Sequence, residues 1–94
     1  MNVELHEEGH RGRFELMKDG ARVGEMTFSR LSDDEVIADH TETDDSIRGM
    51  GGGKRLFAAL VDWARQTGTR VRATCPFVIG MFERDPDSRD VYAQ

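Results

Sequence analysis

Arg48-Gly49-Met50-Gly51-Gly52-Gly53-Lys54 places four glycines in seven residues, between a stretch patterned as a strand and one patterned as a helix. At such a junction backbone amides point outward and the helix start favours negative charge, so the segment can cradle a phosphate. Two nucleotide motifs fail here on register. A P-loop ending in Gly53-Lys54 requires glycine at 48 and Ser or Thr at 55, where the chain has Arg48 and Arg55; a dinucleotide fingerprint beginning at Gly49 or Gly51 requires glycine at 54 or 56 and meets Lys54 or Leu56. A flexible glycine loop without a ligand is the competing reading of the same residues.

Downstream, Leu56, Leu60, Trp63 and Ala64 recur at helical spacing, and Phe57 and Val61 widen the stripe. This predicts an amphipathic helix over residues 52–67, stopped by Gly68. A short strand is expected at 71–74, then a second helix that starts after Pro76, carries Phe77, Val78, Met81 and Phe82, and ends at Asp85-Pro86. In the polar tail, Val91 and Tyr92 are the residues suited to dock on a sheet. Upstream, Val36, Ile37, Ala38, Thr41 and Thr43 mark a strand over 35–43. Residues 13–18 and 21–29 flank Asp19-Gly20, a dipeptide that favours the tight turn of a hairpin, and Gly24 predicts a bulge or a close backbone approach. Three antiparallel strands are expected first, followed by helix, strand and helix.

The 94 residues leave room for one domain with a modest core and no deep enclosed pocket. No apolar run approaches the length of a membrane span, and an N-terminus with Glu4, Glu7 and Glu8 does not read as a signal peptide, so a cytoplasmic protein is expected. A formal net charge of −5 argues against a nucleic-acid binder that works by general attraction. The charge is unevenly spread: residues 1–45 carry 13 acids and 5 bases, whereas residues 46–94 carry 5 acids and 8 bases. That division suits an anionic ligand on the second half and a cationic one on the first, although segregation on this scale also arises incidentally. The single cysteine, Cys75, excludes an internal disulfide and a thiolate zinc cluster, and no metal is expected.

Arg48, Gly51 and Gly53 fit the pattern Arg-x-x-Gly-x-Gly, and in this the chain resembles the GNAT superfamily of acetyl-CoA-dependent N-acetyltransferases. More narrowly it is similar to the small YidJ-like group in the order and spacing of residues 40–49, of Gly53-Lys54-Arg55-Leu56, of Asp62-Trp63-Ala64-Arg65 and of Cys75-Pro76-Phe77-Val78. The resemblance covers about residues 35–90 and implies a single GNAT-like α/β (α+β) domain over 1–94: a mainly antiparallel mixed sheet flanked by two or so helices, truncated relative to larger members. It further implies that coenzyme A binds with its pyrophosphate on the amides of Gly49, Met50, Gly51, Gly52, Gly53 and Lys54. Pantetheine would lie strand-like along Thr41 and Thr43, with Arg48 supporting the loop or touching phosphate and Lys54 or Arg55 reaching the ribose phosphate. Cys75 and Phe82 would face the cofactor near its acyl end.

Acetyl transfer needs a deprotonated amine, a polarised thioester and usually a proton for the leaving thiolate. His40 and Glu42 share one strand face and are candidates to accept the amine proton; a satisfied polar pair is the alternative. Many members of the superfamily place a tyrosine in the last helix as the acid. Counting residues puts Phe82 at that position, or Met81 one residue earlier, and neither carries a proton to give. Cys75 is then the nearest ionisable group, open to three readings: catalytic or acyl-carrying, lining but unreactive, or simple core. The larger members insert two helices after their first strand, whereas here the first hairpin is expected to close through Asp19-Gly20, leaving an open acceptor side. These features imply acetyl transfer from acetyl-CoA to a small amine or to a peptide or protein amine. A coenzyme A-binding or acyl-sensing module with little catalysis is the alternative.

Overall fold

The computed structural model describes residues 1–93; Gln94 lies outside the described residues. Its sheet runs β1 (Asn2–Glu8), β2 (Arg11–Lys18), β3 (Ala21–Ser32), β4 (Glu35–Thr43) and β5 (Arg70–Ala73), neighbours in that spatial order. The first four strands pair antiparallel and β5 joins β4 in parallel, which makes the sheet mixed, as expected. Between β4 and β5 lies α1 (Gly52–Thr67), and after β5 comes α2 (Pro76–Arg84). The tail returns beside β5, where Val71 bridges Tyr92 in parallel and Val91 is buried, so the expected docking of Val91 and Tyr92 occurs. Among the described residues no helix is long and apolar enough to cross a membrane.

Four antiparallel strands precede the first helix, not three. The additional one is β1, which the acidic sequence of residues 2–8 conceals, and it turns into β2 through Gly9, at φ +61°, and His10. The first hairpin therefore closes at Gly9-His10, and the Asp19-Gly20 turn closes the second. Asp19 and Gly20 both have positive φ, 52° and 81°, as a two-residue turn matched to the twist of its strands requires.

Alternation along the strands sends Phe14, Leu16, Met26, Phe28, Val36, Ala38 and Val71 to one face, where both helices cover them. On α1 the stripe Leu56, Phe57, Leu60, Val61 and Ala64 is buried against that face, and Trp63 packs edge-on to Phe14 at 5.6 Å between ring centroids. Phe57 and Phe82 lock α1 to α2 at 4.9 Å. The opposite face carries Glu4, His6, Arg13, Glu15, Glu25, Thr27, Asp39, His40 and Glu42, and among the described residues no helix covers it. Burial on one face alone fixes the register, since a one-residue slip would send every apolar side chain into water.

Candidate functional site at the start of the first long helix

Gly51 caps α1 with φ +74°, and the first helical hydrogen bond runs from Arg55 N–H to the Gly51 carbonyl at 3.0 Å. The amides of Gly52, Gly53 and Lys54 therefore have no preceding helical turn to bond, and they carry the positive end of a 16-residue helix. The glycines serve different needs. Gly49 and Gly51 adopt left-handed backbone, at φ +80° and +74°. A Cβ on Gly52 would stand 2.7 Å from Ile47 Cδ1 and 2.9 Å from Leu16 Cδ2, so this residue lets the helix start press onto the sheet. A Cβ on Gly53 would stand 2.7 Å from the ring of Phe77.

A groove of ~300 Å³ opens over these amides, lined among others by Thr43, Asp44, Arg48, Gly51, Gly53, Lys54 and Phe77. Arg48 is held at 2.8 Å by Asp45, and both side chains are highly exposed, so the pair is weak and readily exchanged for another anion. Met50 and Arg55 are exposed and stand outside the lining. Phe77, Asp44 and Asp45 are lining residues that the sequence reading left out of the site. Phe77 was legible only as an apolar residue of α2; its role as a wall follows from the convergence of two helix starts, which no single segment reveals.

The groove runs toward an unpaired edge of β4. Pairing with β5 covers Glu35 to Ala38 only, and the amides of Thr74 and Cys75 close that ladder by donating to the Ala38 carbonyl at 2.9 and 3.3 Å. The chain then turns into α2, whose Ile79 N–H bonds the Cys75 carbonyl at 3.0 Å with Pro76 in the first turn. Among the described residues no strand faces that edge of residues 39–43. Thr41 and Cys75 meet across the gap, Oγ1 to Sγ at 3.4 Å, and the thiol is buried.

His40 and Glu42 stand on the other face of β4, more than half exposed, with Nε2 and Oε2 3.7 Å apart. The structure thus brings Thr41 to Cys75 and Thr43 to the glycine loop on the helix side, and sets His40 and Glu42 apart on the open side. Phe82 corrects an expectation. Its ring is fully buried, stacked on Tyr92 at 4.1 Å and edge-on to Phe57, so it belongs to the core and reaches no groove. Met81 is half-buried and lines a separate ~270 Å³ hollow with Phe57, Val61 and Arg65.

Residues 13–91 match the family described as GCN5-related N-acetyl-transferase. A GCN5-like protein of Staphylococcus aureus, solved in solution by NMR, superposes with a TM-score of 0.69 at 30% identity, over 97% of this chain and 88% of that one. A ribosomal-protein-alanine N-acetyltransferase from Brucella melitensis biovar Abortus superposes at 0.66 with 21% identity, over 80% of this chain and 62% of that one. An aminoglycoside N-acetyltransferase solved in complex with CoA superposes at 0.57 with 21% identity, over 82% of this chain and 67% of that one. The latter two likenesses are of fold, and this chain spans under two thirds of the Brucella protein. No curated protein matches the sequence significantly. On the family match, the chain belongs to the GCN5-related N-acetyltransferases.

Proposed function

We propose that the protein is an N-acetyltransferase that takes acetyl-CoA as cosubstrate and an amine as acceptor. The observation that carries this reading is the adjacency of the unbonded α1 amides to the unpaired edge of β4. One element suits a phosphate, the other an extended amide chain, and the groove over the amides reaches the edge at Thr43. Coenzyme A has both parts and supplies the acetyl thioester. On the protein side, Gly51 to Lys54 bind the pyrophosphate, Arg48 exchanges Asp45 for a phosphate oxygen, and the main chain of Thr41 to Thr43 pairs with pantetheine. Cys75 and Thr41 lie beside the thioester and supply the leaving-group proton, and His40 or Glu42 accepts the amine proton directly or through water.

The acceptor we favour is cationic. Glu25 and Glu42 are direct cross-strand partners on the open sheet face; Arg22 already pairs with Glu25 at 2.7 Å, whereas Glu42 is more than half exposed and among the described residues pairs only with His40, so a bound ammonium would find its counter-charge at Glu42. The tight Gly9-His10 turn leaves that side uncovered, which admits a peptide or polyamine as readily as a small amine. We place the protein in the small subgroup that the YidJ-like resemblance suggests and in the cytoplasm; the near-equal length of the Staphylococcus aureus protein supports the first. A coenzyme A-binding module with little turnover is the second reading, favoured by a second helix whose Met81 lines a separate hollow and whose Phe82 is core, so that neither brings a proton donor to the groove. Acetyl-CoA turnover against a panel of polyamine, lysyl-peptide, amino-terminal peptide and small amines separates the two: coenzyme A binding with no turnover on any of them establishes the second.

A further inference from the structure

We propose that Asp39, held by Thr27 and Arg11 on the open face of the sheet, is a positioning residue that locks the register of β4 and so decides which of its side chains face Cys75. The inference rests on the acetyltransferase reading only for what the cleft is used for. Pairing of β3 with β4 joins Phe28 to Ala38 but Thr27 to His40, leaving Asp39 as an extra residue, a bulge on β4. Its effect is a change of face. Ala38 points to the core and Asp39 to the open side, and the bulge keeps His40 on the open side too, returning Thr41 to the helix side against Cys75. Simple alternation would instead send His40 and Glu42 beneath α1 and turn Thr41 and Thr43 outward.

An extra residue in a ladder needs something to hold it. Asp39 Oδ1 accepts from Thr27 Oγ1 at 2.5 Å, its Oδ2 accepts from Arg11 at 2.7 Å, and the same guanidinium nitrogen donates to Ser29 Oγ at 2.6 Å. Three strands are thus tied at the one residue of β4 that has no cross-strand partner. The network lies on the opposite sheet face from the glycine loop and touches neither Cys75 nor Thr41, so it acts on the cleft only through the backbone.

The test uses the whole protein, folded as judged by circular dichroism, in four forms: wild type, Thr27→Val, Thr27→Ser and Asp39→Asn. Thr27→Val keeps shape and strand preference while removing the hydroxyl; Thr27→Ser restores it. The readouts are the Thr41 methyl to Cys75 Hβ nuclear Overhauser effect and the rate at which iodoacetamide alkylates Cys75. We expect Thr27→Val and Asp39→Asn to lose the Overhauser contact and to alkylate about tenfold faster, with Thr27→Ser close to wild type. Turnover should fall in kcat and the acetyl-CoA KM should rise, because the stretch of Thr41 to Thr43 that pairs with pantetheine shifts with the register, while Thr27→Ser stays close to wild type in both. A folded Thr27→Val protein that keeps both the contact and the wild-type alkylation rate overturns the lock. Failure of wild type to bind coenzyme A would defeat the acetyltransferase reading, while the alkylation and Overhauser data would still decide the lock.

Discussion

Thr41 Oγ1 stands 3.4 Å from Cys75 Sγ, joining the unpaired edge of β4 to the residue that caps α2. On the proposed reading of the groove, the one thiol of the chain stands beside the acyl end of coenzyme A. If Cys75 supplies the proton to the leaving thiolate, Cys75→Ala lowers kcat by about 100-fold. Coenzyme A affinity should stay nearly intact, because an interaction made in the transition state affects rate more than ground-state binding. Cys75→Ser, which keeps a donor, should fall between. Wild-type turnover in Cys75→Ala removes the thiol from the chemistry, and intact-mass analysis after incubation with acetyl-CoA shows whether an acetyl adduct accumulates on it.

The glycines should separate by mechanism. Gly52→Ala drives a methyl into Leu16 and Ile47 and should cost about 1–3 kcal/mol of stability. At Gly51 the added Cβ meets open space and the cost comes from left-handed backbone, about 1–2 kcal/mol. Gly53→Ala displaces the Phe77 ring, so it should weaken coenzyme A binding more than it lowers Tm. Calorimetric affinity and thermal melts on the three variants check the order; equal loss of affinity and stability at all three positions would mean that the loop is only a turn.

Acid titration should report Asp39. Burial pushes its carboxyl up, but hydrogen bonds from Thr27 and Arg11 together outweigh that and hold it below the ordinary carboxylate range. A carboxylate depressed in the folded state stabilises fully above its unfolded value, near about 3.9, and that contribution is lost as pH falls through the lower folded value. Asp39→Asn should therefore be less stable than wild type at neutral pH, with the gap closing in acid. Denaturant midpoints measured from neutral pH down to about pH 2 test this, and a gap that stays constant throughout contradicts it.

Local chemistry was legible where it is local. Asp19-Gly20 announces its turn because the required positive φ values suit those two residues, and Gly68 announces the end of α1 for the same reason. The Arg48 to Lys54 loop could be recognised because strand, glycines and helix are consecutive. β1 was hidden: it is an edge strand whose open face holds Glu4, His6 and Glu8, and on its other face Val3 is only half-buried and Leu5 exposed, too few apolar residues to show a period. Phe82 was misplaced because counting from Cys75 gives a position along α2 and not the direction in which that position faces. The bulge at Asp39 was invisible because a register shift belongs to a pair of strands, and the run Val36-Ile37-Ala38 followed by Asp39-His40 shows no alternation from which a break could be read.

Ligand binding should stabilise this small core. At about 100 times its dissociation constant, coenzyme A adds ~2.7 kcal/mol, which for a domain of this size raises Tm by roughly 10–20 °C. Differential scanning fluorimetry with coenzyme A, acetyl-CoA and inorganic pyrophosphate compares the whole ligand with its anionic part. No rise with any of the three would leave the fold without its expected ligand.

The central claim is that one groove, from the α1 amides to the edge of β4, holds coenzyme A. An amide-resolved NMR titration of the wild-type protein with coenzyme A tests it most directly. The account predicts saturable shifts at residues 49–54 and 41–43, with Phe77 and Cys75 moving alongside them and the open-face residues of β1 and β2 unmoved. Shifts confined to the open sheet face, or none at the Gly51 to Lys54 amides at saturating ligand, would contradict it.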